Sequence, residues 1–107
     1  MGISTHILDT STGRPAVGVP VRLEHHSSAG WQTVGHGHTD ADGRQKTLLP
    51  PDAAPHGLYR LSFDTAAYLG AGAFFPEVQI VFAVQDDRHH HVPLLLSPFG
   101  YSTYRGS

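Results

Sequence analysis

The chain has 107 residues, no cysteine and a net charge of -2 at pH 7 with histidine neutral. That length is typical of one domain, able to bury roughly 60 to 70% of its unfolded surface without staples. The missing thiols exclude disulfides, thiolate metal sites and cysteine nucleophiles, and the charge balance provides no clustered basic face for nucleic acid.

No apolar run approaches the roughly 20 residues that span a bilayer. The opening MGISTHILD lacks the basic and apolar regions of a secretion signal. The expectation is a cytoplasmic protein, one domain over residues 1–107, with neither a membrane nor a nucleic acid as partner.

Turn signals recur about every ten residues: STGRP at 11 to 15, SSAG at 27 to 30, DADG at 40 to 43, LPPDAAPHG at 49 to 57 and SPFG at 97 to 100. Between them lie short stretches rich in β-branched and aromatic residues, so the pattern predicts an all-β sandwich. ISTHILD at 3 to 9 reads as a strand with Ile3, Thr5 and Ile7 on one face and Ser4, His6 and Leu8 on the other. VGVPVRLEHH follows, with Val17, Val19, Val21 and Leu23 alternating inward. WQTVGHGHT and RQKTLL flank the DADG turn as two further strands, and YRLSFDT turns Tyr59, Leu61 and Phe63 to the core. DTAAYLGAG is the single candidate helix, closed by Gly70 or Gly72. VQIVFAV and HHHVPLLL, joined by DDR, are predicted to form a hairpin. Pro93 has no amide to donate, which assigns it an edge or bulge position. YSTYRGS ends the chain as another β-like stretch that holds the terminal carboxylate in place if it pairs.

Nine histidines outnumber the seven lysines and arginines together. Imidazole titrates near neutral pH, so this surplus directs attention to acid–base work or metal binding. Period two places His89 and His91 on one face of their strand and His90 on the other. His6 lies near the opposite end of the sequence, and spacing alone does not bring it to them. Arg44 follows a turn whose Gly43 can take a positive φ. Two neutral imidazoles beside a guanidinium make a water-activating site, because the cation lowers a neighbouring histidine's pKa and stabilises negative charge on a carbonyl oxygen. The competing readings are a structural histidine, a surface arginine, and a zinc site built on the His-x-His pair. His25, His26, His36, His38 and His56 are read as solvated residues in or beside turns.

ISTHILDTSTGRPA, GHTDADGR, FFPEV and HHHVPLLLSPFGYSTYRGS resemble the 5-hydroxyisourate hydrolases, the transthyretin-related enzymes of urate breakdown. The likeness runs from about residue 3 to the last, and the ending YRGS separates these enzymes from transthyretin itself. The resemblance implies a transthyretin-like sandwich of two four-stranded sheets with one short helix. It also implies a homotetramer, a dimer of dimers with active sites at the dimer–dimer interface. The family's catalytic residues fall on His6, Arg44 and His91, and its substrate-binding C-terminal tetrapeptide on Tyr104, Arg105, Gly106 and Ser107.

The implied reaction hydrolyses a purinoid, 5-hydroxyisourate, to 2-oxo-4-hydroxy-4-carboxy-5-ureidoimidazoline without a cofactor. His6 and His91 would handle the water and Arg44 the carbonyl oxygen. His90 departs from the family's usual tyrosine, and its side chain is expected to point away from His91. Two alternatives stand beside this reading: a carrier of an aromatic ligand in the channel between dimers, and a zinc site at His6, His89 and His91.

Overall fold

The computed structural model describes residues 2–46, 48–49 and 55–107. The described strands are β1 (Ile3–Asp9), β2 (Arg14–Pro15), β3 (Pro20–Ser27), β4 (Gly30–His38), β5 (Arg44–Gln45), β6 (Gly57–Phe63), β7 (Val78–Val84), β8 (His90–Ser97) and β9 (Gly100–Thr103), with a short helix α1 (Thr65–Leu69). One sheet runs β2-β1-β8-β9 and the other β4-β3-β6-β7. The first counts five strands because β2 and β5 pair end to end along the same edge of β1. The β1–β8 pair is parallel; every other pairing of named strands is antiparallel.

Period-two alternation makes this a sandwich. Ile3 and Ile7, Val19, Val21 and Leu23, Tyr59, Leu61 and Phe63, Val78 and Val84, and Val92, Leu94 and Leu96 are all buried, each contributing about 1.5–3 kcal/mol of burial. Thr5 joins them, its hydroxyl donating to the Val92 carbonyl at 2.6 Å. The helix starts where the Asp64 carboxylate accepts the Ala67 amide and stops at Gly70, whose φ is 81°. Tyr68 then ties it to the end of β1 by donating to Asp9 at 2.7 Å.

Four sequence expectations are corrected. The β7–β8 hairpin does not form: β7 pairs with β6, and β8 lies between β1 and β9 in the other sheet. The link from 85 to 89 crosses between sheets, and Asp86 turns it by accepting the Arg88 amide and guanidinium. Pro93 therefore sits in an interior strand. The β8–β9 ladder runs from Ser97 to Leu94 and resumes only at His91 with Gly106, so the missing donor falls in a gap in the ladder. Val17 precedes β3 and is 52% exposed, because Gly18 at φ 78° breaks the extended run. RQKTLL yields only the two-residue β5, while Leu48 and Leu49 are buried outside any strand. His26, His36 and His38 are exposed on β3 and β4, as the sequence reading has them, and His25 is half-buried. The part of the LPPDAAPHG turn at 50 to 54 lies outside the described residues.

Candidate active site

The turn before β5 is built to place Arg44. Asp40 accepts the amides of Asp42 and Arg44 at 2.9 and 3.0 Å, and Gly43 takes φ 73°. The Gly43 carbonyl receives the Ile7 amide at 2.8 Å. A Cβ on Gly43 would lie 2.6 Å from the Ile7 carbonyl oxygen, so any side chain there would push the turn off β1. This close approach sets Arg44 directly opposite His6.

Two adjacent rungs then cross the outer face of the sheet. In one, Arg44 pairs with His6 and His6 with Pro93; in the other, Ser4 pairs with His91 and His91 with Gly106. Gly106 docks by donating its amide to the His91 carbonyl at 2.8 Å. Its lack of a side chain is required by space, since a Cβ would stand 2.5 Å from the His91 ring and 3.2 Å from Pro93. The chain terminus is thus seated on β8 beside the histidine.

A cavity of about 550 Å³ covers these rungs, and His6, Arg44, His91, Tyr104, Gly106 and Ser107 all line it. Arg105 does not. It faces a smaller cavity of about 220 Å³ between β7 and the end of β8, together with buried His90 and with His91 and Tyr104, which line both cavities. His89, named from the sequence only as a ligand of the alternative zinc site, lines the main cavity too, as do Ser4, Thr5 and Lys46, which were not named from the sequence. The available signal was period two: Ser4 shares the His6 face, and Lys46 alternates with Arg44.

Electrostatics favour a neutral imidazole at His91. Burial lowers its pKa from the ordinary histidine value, and Arg44, His6 and His89 lower it further by like-charge repulsion. Ser4 Oγ lies 2.8 Å from its Nδ1 and 2.7 Å from His89 Nε2, which leaves His91 Nε2 as the second ring nitrogen. Among the described residues no three His, Asp or Glu side chains are gathered closely enough to hold a metal ion; His89 and His91 are bridged by a hydroxyl instead. The remaining histidines have other surroundings: His25 packs on Tyr59, His26 on Trp31, and His56 meets Asp87.

A protein-family model for the HIUase/Transthyretin family matches residues 3–106. The chain belongs to that family. It is 50% identical to a 5-hydroxyisourate hydrolase of Salmonella dublin over 109 aligned positions, covering 98% of this chain and 80% of that protein. A 5-hydroxyisourate hydrolase of Mus musculus is 41% identical, with 98% of this chain and 94% of the relative covered. Among solved structures, 5-hydroxyisourate hydrolase of Klebsiella pneumoniae superimposes with a TM-score of 0.86 at 41% identity, covering 98% and 97% of the two chains. Sea bream transthyretin in complex with thyroxine gives 0.90 at 34%, covering 97% and 93%. The HIUase/Transthyretin fold therefore accommodates both kinds of protein.

Proposed function

We propose that this protein hydrolyses 5-hydroxyisourate in urate degradation, by water attack on a ring carbonyl and expulsion of the ring nitrogen. The observation that carries the reading is the convergence of His6, Arg44, His91 and the chain terminus on one cavity. The 50% identity to a relative named for this activity supports it. His91, held neutral, accepts the proton of the attacking water. Arg44 faces the carbonyl oxygen, where negative charge develops as the tetrahedral intermediate forms. His6, one rung away, orients the water or the leaving nitrogen, while Tyr104, Gly106 and Ser107 close the pocket around the purinoid. No cofactor takes part in these steps.

The cavity lies open on the outer face of a sheet, which fits a homotetramer in which a second dimer covers it; the proposed site of action is the cytoplasm. A carrier of apolar aromatic ligands fits less well, because imidazole, guanidinium and ammonium groups line this surface.

The decisive experiment generates 5-hydroxyisourate freshly from urate and follows its ultraviolet decay with untagged protein, before and after chelation, against the unaided decay. Acceleration that survives chelation is expected. No acceleration by the assembled protein would overturn the assignment.

A further inference from the structure

We propose that Ser4 and His89 form a proton relay behind His91, moving the positive charge that His91 gains from the attacking water to the exposed His89 ring and returning it when the ring nitrogen departs. The proposal rests on the hydrolase reading of the same cavity. Ser4 Oγ contacts His91 Nδ1 at 2.8 Å and His89 Nε2 at 2.7 Å, both within the range of strong hydrogen bonds to a hydroxyl. Ser4 is only 7% exposed and is locked in register with His91 by the parallel β1–β8 ladder. His89, by contrast, is exposed. The three groups thus connect the buried ring to bulk water.

A serine hydroxyl carries one proton, so between two imidazoles it donates to one and accepts from the other. The tautomers of His91 and His89 are therefore coupled. For His91 Nε2 to offer a lone pair to water, its proton must sit on Nδ1 and point at Ser4 Oγ. Ser4 then donates to His89 Nε2, and His89 holds its own proton on Nδ1. When His91 Nε2 takes a proton from the attacking water, Nδ1 passes its proton to Ser4 as Ser4 passes its own to His89 Nε2. The positive charge moves from His91 to the exposed His89 ring, where water screens it from Arg44, Lys46 and His6, which face the same cavity with Tyr104 and Ser107. As the ring nitrogen departs, the same transfers run backwards: His89 Nε2 returns a proton to Ser4, Ser4 passes its own to His91 Nδ1, and the imidazolium re-formed at His91 gives its Nε2 proton to that nitrogen, which restores the starting state. One histidine thereby serves as base and then as acid.

The test has two readouts. In the free protein, nitrogen-15 NMR of the histidine rings should find His91 in the Nδ1–H form, and both Ser4→Ala and His89→Gln should shift that tautomer; an unchanged His91 would overturn the coupling. In turnover, His89→Gln keeps an amide within hydrogen-bond reach but takes no proton. It should lower kcat by about tenfold or more with KM within about twofold, and added imidazole should restore the rate. Wild-type kcat in His89→Gln would overturn the relay alone, whereas a wild-type protein inactive on 5-hydroxyisourate would overturn the relay and the hydrolase reading together.

Discussion

At His91, burial, Arg44, His6 and His89 all act in one direction, keeping the imidazole uncharged at neutral pH. The sign of the pH dependence follows. A base with a lowered pKa is active above that pKa and loses activity as pH falls through it, so kcat/KM should decline on the acid side with a midpoint below the ordinary value of about 6.5. A rate unchanged from pH 5 to 8 would remove His91 as the base. Gly106 is a second residue-scale constraint, because the space for a Cβ is already filled by the His91 ring. Gly106→Ala should turn that ring and lower kcat by about tenfold while leaving the melting temperature nearly unchanged, as kinetics and a thermal scan on one sample would tell. His6, Arg44 and His91, which line the cavity, were picked out by the family resemblance, but Ser4 was not, because its contact is with a partner 87 positions away.

Among the elements, the sheet β4-β3-β6-β7 carries its own electrostatic clamp. Glu24 on β3 is nearly buried and accepts two bonds from Arg60 on β6, at 2.9 and 3.1 Å, with Arg60 stacked over Trp31 of β4. The Arg60 hydrogen bonds, opposed by burial and helped by the charges of Arg60 and Arg22, hold the Glu24 pKa below its usual value. A carboxylate depressed in the folded state contributes stability above its unfolded pKa and loses that contribution as pH falls through the folded one. Arg60→Met should cost about 2 kcal/mol near pH 7, or about 10 °C in Tm, and the deficit should shrink below about pH 4. Denaturant titrations at pH 7 and pH 3.5 would check this, and an equal deficit at both would refute the charge pairing. The strands themselves were readable from period two. The partner of β8 was not, since a short turn-rich link between two β-forming runs suits a hairpin and a sheet-to-sheet crossing equally well.

For the whole molecule, the proposed homotetramer would cover the cavity and the exposed Tyr104 that lines it. Light scattering should give a mass four times that of the 11.5 kDa chain, and specific activity should fall on dilution as the assembly separates. A fully active monomer would show that one chain holds the complete site. What the sequence by itself determined was local or motif-borne: the alternation that buries Ile3, Ile7, Leu61 and Phe63, the turns at Gly43 and Gly30, the short capped helix, and the family, carried by DADGR and YRGS. Only the tertiary structure decided that β1 and β8 run parallel, that β7 and β8 part into different sheets, that Arg105 turns away from the cavity its neighbours line, and that Ser4 stands between two histidines. Local propensity fixes which residues face in, but register between distant strands is set by how the two buried faces fit together. A shift of one residue in that register would send every site side chain to the opposite face.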